Sequence, residues 1–254
     1  MIDGATIAAI EHSARAALPA EHEEVIGDWV LRASGGATKR VNSANPVAPG
    51  ARVEAVIDRA EAFYRAHGQP VRFRLSPLAD AGVDAALAAR GYERVEESLT
   101  MTAPLTDRPI DPAVRLALAV DEAWCAGFAT VSGWSRGEDE CHRSLLARAD
   151  TIAAATLVEG DQAVGFGVGS IAGGRLCLFD IATIAAARGR GLGRRLVASL
   201  LGWGAAAGAE EAVLQVLATN TPARRLYGTL GFTDAYPYHY RIASGEQRGD
   251  LGEG

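Results

Sequence analysis

Residues 187–196 read ARGRGLGRRL, with four arginines and three glycines in ten positions. The apolar segment LFDIAT precedes them, and the amphipathic segment LGRRLVASLLGWGAAAG grows out of them. That order predicts a strand, a glycine-rich loop and a helix start. The first amides of a helix have no partner inside it, and the helix dipole places partial positive charge there. Arg188, Arg190, Arg194 and Arg195 add more positive charge at the end where it is least favourable, and a bound anion removes the conflict. Gly189, Gly191 and Gly193 let the backbone come close, so that the amides from Arg188 through Leu192 to Arg194 can point inward at a phosphate. A pyrophosphate suits so long a loop. No Gly-Lys-Ser/Thr follows, so this is not a Walker loop, and the last position of a G-x-G-x-x-G frame is filled by Arg194. The purely structural alternative is an arginine-rich helix start bridged to neighbouring acids.

A second constellation follows in NTPARRLYGTLGF, residues 220–232. Asn220, Ala223, Arg224 and Tyr227 share one face of a helix, and Asn220 can also cap it. Tyr227 is either a core aromatic or a proton donor. Together, Arg188-x-x-Gly191-x-Gly193 and Asn220-x-x-Ala223-x-x-Leu226-Tyr227-x-x-x-Gly231-Phe232 resemble the two signature segments of the GCN5-related N-acetyltransferase superfamily. The resemblance covers residues 113–243. The one departure is the absent proline before the loop, where this chain has IAAAR. The resemblance implies acetyl-CoA as co-substrate and direct attack by a primary amine, from a small molecule or a peptide, in a ternary complex. It implies backbone pairing of Ile181 and Thr183 with the pantetheine arm, and Tyr227 as general acid to the departing sulfur. A thiol near pKa ~8.5 and a tyrosine near ~10 make that proton transfer feasible.

On the acceptor side, SGWSRGEDE offers Trp134 and Glu138, and the strand before the loop offers Asp180. The general base stays open between Asp180, Glu138, Asp139, Glu140 and a water chain. No cysteine nucleophile is needed. Cys125, Cys141 and Cys177 lie far apart, with neither a disulfide framework nor zinc spacing, and no metal is expected. Two other readings remain open. One is a non-catalytic acyl-CoA-binding regulator on the same fold. The other is a nucleotide-binding protein of another fold, which leaves the second motif unexplained.

These residues need elements to hold them. The chain has 254 residues, 48% hydrophobic and 22% charged, enough for one or two domains. Its net charge of −6 disfavours a general nucleic-acid partner and weakly suits a cationic acceptor. No apolar run is long enough to span a bilayer, and the first residues lack a signal-peptide pattern, so a cytoplasmic protein is expected. A homodimer is an open expectation. Periodicity and turn residues predict helices over 2–18, 50–68, 79–91, 121–133, 138–149, 191–208 and 220–231. Strands are expected at 28–36 and 38–47 around Gly35-Gly36, and at 70–76, 92–104, 114–120, 211–218 and 232–242. Three more run over 151–183, with turns at Gly160-Asp161 and Gly173-Gly174. Aligning Gly91-Tyr92 with Gly231-Phe232 sets Asp80 opposite Asn220 and Leu87 opposite Tyr227, which reads as an internal duplication. With the resemblance, the expectation is an α/β (α+β) fold of two such domains, each a mixed, mostly antiparallel sheet flanked by helices. Residues 1–105 form a degenerate copy, 106–112 a linker, 113–243 the catalytic domain and 244–254 a disordered tail.

Overall fold

The computed structural model describes residues 2–35 and 38–243. The expected tail, and Gly36 of the expected Gly-Gly turn, lie outside the described residues. The N-terminal half runs α1 (Gly4–Ala16), β1 (His22–Ile26), β2 (Trp29–Ala33), β3 (Ala44–Pro46), α2 (Ile57–Ala66), β4 (Arg72–Leu75), α3 (Val83–Ala89) and β5 (Tyr92–Pro104). The C-terminal half runs β6 (Val114–Ala117), α4 (Glu122–Ser132), α5 (Arg136–Leu146), β7 (Ile152–Glu159), β8 (Gln162–Ala172), β9 (Arg175–Thr183), α6 (Leu192–Ala206), β10 (Glu211–Leu217), α7 (Thr221–Thr229) and β11 (Thr233–Ala243).

Three local expectations need correction. Residues 38–47 form a 3₁₀ turn at Lys39–Val41 and a three-residue strand instead of one long strand. The helix expected from residue 50 begins at Ile57, because Ala51 forms a parallel bridge with Ala79 and the carbonyl of Arg52 accepts the Trp29 indole N–H at 2.7 Å. β1 was not expected at all. Its sequence HEEVI is largely exposed at the sheet edge, so it lacks the alternating apolar signal of a buried strand.

The strands join into one eleven-stranded sheet in the order β1-β2-β3-β4-β11-β5-β10-β9-β8-β7-β6. The order shows an exchange. β5 leaves the first half and pairs antiparallel with β10 of the second, from Glu211↔Pro104 to Leu217↔Ser98. β11 pairs in turn with β4, from His239↔Leu75 to Ile242↔Arg72. The exchanged strands pair with each other, with Ser98 opposite Tyr238. Ser98 and Tyr238 are as far apart along the chain as Gly91 and Gly231, so the crossover is symmetric in the register of the internal repeat. The segment between the halves is pinned as well. Asp111 accepts Arg195 Nε and Nη2 at 2.7 and 2.9 Å, and Arg108 Nη2 donates to the carbonyl of Leu230 at 2.9 Å.

Helices cover both faces. Leu192, Leu196, Val197, Leu200 and Leu201 of α6 recur at helical spacing and are all buried against the sheet. Each such side chain contributes about 1.5–3 kcal/mol on burial. On the other face α1 joins α4 and α5, bringing Ile7 and Ile10 into one cluster with Trp124 and Phe128. A separate cluster sits under α2 and α3 around Trp29, Tyr64 and Phe73.

An ionic clamp ties β11 to α3. Asp84 accepts Arg241 Nε and Nη2 at 2.9 Å each and His239 Nε2 at 2.6 Å. The Arg241 side chain first, and His239 with it, hold the Asp84 carboxyl well below the usual carboxylate range. A depressed carboxyl stabilises the fold above its unfolded pKa of about 4, and that contribution fades as pH falls through the folded value. Asp84 is partly exposed, so solvent screening limits its worth. Asp84→Asn is expected to cost about 1 kcal/mol at pH 7, roughly 2–4 °C in Tm. Thermal melts from pH 7 to pH 2 should show the two curves converging as the solution drops below pH ~4.

Candidate active site

The loop between β9 and α6 adopts the expected shape. Gly189 and Gly191 have φ of 74° and 76°, the left-handed region that costs glycine nothing. Gly191 is the N-cap of α6, and no side chain caps that end. Four other helices, α1, α4, α5 and α7, are capped by Asp3, Asp121, Ser135 and Asn220. The α6 amides therefore face open space with the positive end of the dipole behind them. Gly193 serves a second purpose, since a Cβ there would sit 3.0 Å from Leu226 Cδ1 and hold α7 away.

The strand feeding this loop is distorted. β8 and β9 slip register between Phe166↔Ala182 and Val168↔Phe179, so Gly167 faces both Asp180 and Ile181. Asp180 takes up the extra residue with φ 58°, a conformation that costs roughly 1 kcal/mol outside glycine. On its other side β9 pairs in parallel with β10 only from Glu211↔Arg175 to Leu214↔Leu178. Beyond Leu178 the two strands part, and the β9 backbone through Ile181 and Thr183 has no ladder partner on that side.

A cleft of roughly 760 Å³ occupies the gap. It is lined by Ile181, Thr183, Arg188, Gly189, Gly191, Leu192, Gly193, Asn220, Tyr227, Asp180 and Trp134. These expected residues, drawn from five segments of the chain, therefore share one space. Three others do not line it. Arg190 Nη2 is held by Glu159 at 2.9 Å, and Arg194 is exposed at the start of α6. Glu138 closes a capping box at the start of α5. Its Oε2 accepts Ser135 N and Oγ at 2.7 and 2.6 Å, and these bonds hold its carboxyl below the ordinary value. The first half also reaches the cleft through Leu18, Thr38 and Arg40.

Tyr227 is 4% exposed and lies edge-on to Phe232, with centroids 5.8 Å apart. Burial pushes its hydroxyl up to about 12, with Arg40 pulling the other way. It keeps its proton at neutral pH and faces the cleft as a donor. Asn220 caps α7, accepting Ala223 N at 3.2 Å, and lines the cleft as well. Burial pushes the Cys125 and Cys177 thiols up to about 11 and about 12, so neither is a thiolate at neutral pH.

His142 of the cleft also escaped the sequence reading. His142 is buried, with its Nε2 2.8 Å from Asp180 Oδ2. Trp124 and Phe128 stack on its ring at 6.4 and 5.4 Å, and Trp134 meets it edge-on at 4.6 Å. Its partner Asp180 lies 38 residues away along the chain, so local spacing gave no signal. Burial opposes the Asp180 charge, but His142 and then Arg40 outweigh it, and the carboxyl lies below its ordinary value. An ionised Asp180 fixes Nε2 as the donor, which leaves Nδ1 buried without a hydrogen-bond partner. His142→Phe removes the largest opposing influence and leaves burial against Arg40 alone. A carbon-13 NMR titration of the Asp180 carboxyl should then show its pKa raised above the ordinary carboxylate value; a carboxyl that stays low would show that Arg40 suffices.

Comparison with known proteins places this geometry. The family described as "Probable histone acetyltransferase Rv0428c C-terminal" matches residues 4–241. The chain is 31% identical over 240 residues to the "Uncharacterized N-acetyltransferase YobR" of Bacillus subtilis, covering 92% of this chain and 97% of that one. In fold it is similar to a GCN5-related N-acetyltransferase from Kribbella flavida, with TM-score 0.75 and 17% identity over 98% and 99% of the two chains. It is also similar to a tandem GNAT protein from the clavulanic acid biosynthesis pathway, with TM-score 0.59 and 15% identity over 79% and 74%. Among the described residues, no helix is long and apolar enough to cross a membrane.

Proposed function

The chain belongs to the GCN5-related N-acetyltransferases, and from that premise we propose that it moves an acetyl group from acetyl-CoA to a primary amine by direct attack in a ternary complex. The observation that carries the reading is the uncapped start of α6, with Gly189, Gly191 and exposed Arg188, opening onto the same cleft as the parted strands and Tyr227.

The chain fits the co-substrate at each point where contact is needed. The amides from Gly189 to Arg194 and the Arg188 guanidinium receive the pyrophosphate. Arg190 contributes its amide, its guanidinium being engaged by Glu159. Ile181 and Thr183 offer backbone groups to the pantetheine amides, and an amide of the β9 bulge meets the carbonyl oxygen as negative charge grows on it. Acetyl-CoA supplies an activated thioester carbonyl. The neutral amine nitrogen forms a bond to that carbon, and the carbon–sulfur bond breaks. Tyr227 gives its proton to the departing sulfur, and the surplus amine proton passes to the Asp180–His142 pair or to water. That proton then restores the Tyr227 hydroxyl. Trp134 walls the acceptor side. The family description names a histone acceptor, which agrees with a primary amine as the attacking group.

The first half lacks this equipment. The segment between β3 and α2 has no arginine–glycine loop, and buried Leu87 stands where the repeat places Tyr227. We read it as a degenerate copy that scaffolds and walls the cleft.

Calorimetry on the purified chain should therefore fit one coenzyme A per chain, and Arg188→Ala should weaken it by about tenfold or more. An unchanged affinity would overturn the loop assignment, and two sites would overturn the reading of residues 1–105 as a degenerate copy. Tyr227→Phe should lower kcat by about 10²–10⁴-fold with coenzyme A affinity unchanged. If kcat stays within twofold, Tyr227 is only a core aromatic.

A further inference from the structure

A second, smaller cavity lies next to the cleft, and its lining is unusual for a protein interior. Arg15 from α1, Arg32 from β2, Arg40 and Arg74 from β4 converge there, with Glu11, Asn45 and the β9 segment Cys177–Phe179. Arg32 and Arg74 are each 2% exposed. Arginine cannot shed its charge at any ordinary pH, so this charge must be met by hydrogen bonds.

Arg32 is fully engaged. It donates to Glu23 at 2.8 Å and to the carbonyls of Arg40, Arg15 and Leu18 at 3.1, 3.2 and 2.6 Å. It clamps the chain and asks for nothing more. Arg74 differs. Its Nη1 donates to Glu11 Oε2 at 2.6 Å, and its plane lies 3.7 Å above the Tyr238 ring. Its Nε and Nη2 are buried with no hydrogen-bond partner, and so is Nη1 of Arg15. The other oxygen of Glu11 accepts the Tyr236 hydroxyl at 2.9 Å. Three charged N–H-bearing nitrogens beside this cavity, Arg74 Nε and Nη2 and Arg15 Nη1, are thus unmet. A buried charged donor left without a partner is costly, and a bound anion would meet it.

We propose that this cavity receives the carboxylate of the acceptor, so that the substrate is a small amine carrying a carboxylate at its far end. The inference rests on the transferase reading of the neighbouring cleft. Two observations fix the class. The cavity holds about 30 Å³, room for roughly two waters or one carboxylate, and tight for a phosphate group. Leu18 and Arg40 line both spaces. Along β9, Phe179 borders the small cavity and Ile181 the cleft, one on each side of the bulge at Asp180. A short ω-amino acid reaches from one space to the other, with its carboxylate at Arg15 and Arg74 and its amine beside the bulge at Asp180. A polyamine would set a second cation against the guanidinium groups, and is excluded by charge.

The test compares matched amines. With the full chain and acetyl-CoA, thiol release is followed with 4-aminobutyrate, 5-aminopentanoate, butylamine and 1,4-diaminobutane. The amino acids should exceed the neutral amine and the diamine by about 10–100-fold in kcat/KM. Arg15→Gln, at a half-buried position, should abolish that preference through KM while coenzyme A still binds; Arg74→Gln should do the same if it folds. Equal or better turnover of butylamine or the diamine would overturn the proposal. 4-Aminobutyrate is also titrated calorimetrically into the protein with and without coenzyme A. Binding that is lost in Arg15→Gln supports the subsite even if no amine is turned over, and no binding in either state means the cavity holds water only. Failure of coenzyme A itself to bind would count against the transferase reading, while the titration without coenzyme A still decides the subsite.

Discussion

The antiparallel pairing of β5 with β11 is the contact on which the rest of the molecule depends. Each strand closes the sheet of the half it does not come from, so neither half can complete its sheet alone. Because the crossover is symmetric about Ser98 and Tyr238, it fixes the two halves in one orientation. α1 then lies against β8 and β9, and also bonds to its own half's β2 and β4 through Arg32 and Arg74. The pinned segment at Asp111 and Arg108 follows from the same geometry, since it must cross α6 to start β6. Leu18, Thr38 and Arg40 come to the cleft for no other reason than this exchange.

Within that frame the site rests on two defects placed next to each other. A regular β9 would pair with β8 on one edge and β10 on the other, leaving no free backbone. The bulge at Asp180 re-aims one edge and the parting after Leu178 opens the other. Asp180 bears the local cost with its left-handed backbone, and its side chain is fixed by His142. His142 is in turn held by Trp124, Phe128 and Trp134, so the aromatic cluster between α4 and α5 stiffens a strand on the far side of the cleft. Strain of this kind persists only where the surroundings over-determine it.

Features written in adjacent residues were legible in the sequence. Gly160-Asp161 and Gly173-Gly174 placed the hairpins of β7, β8 and β9, and ARGRGLGRRL placed the start of α6. The residues that line the cleft and were expected there all belong to, or flank, such local motifs. The exchange was not legible, because the apolar pattern of β5 states which face is buried but not which strand lies alongside. β1 was hidden by charged edge residues, and the start of α2 by a tertiary bridge at Ala51. His142 and the four arginines of the small cavity carry no motif, and only the sheet order brings them together.

Charge shows why that assembly matters. The chain is acidic overall, and on that ground alone a cationic acceptor is the natural partner. Surface charges in physiological salt are screened beyond about 8–10 Å, whereas groups walled off from water are screened far less. What a ligand meets in the cleft is therefore set by the side chains lining it, with Arg188 at the loop and Arg40 on the far side, where Arg15 and Arg74 line the adjoining cavity. All the arginines of the far side come from the half that has no phosphate loop of its own. On the reading proposed above, the N-terminal half sets the choice of acceptor through these arginines, and the exchanged strands hold that half beside the cleft.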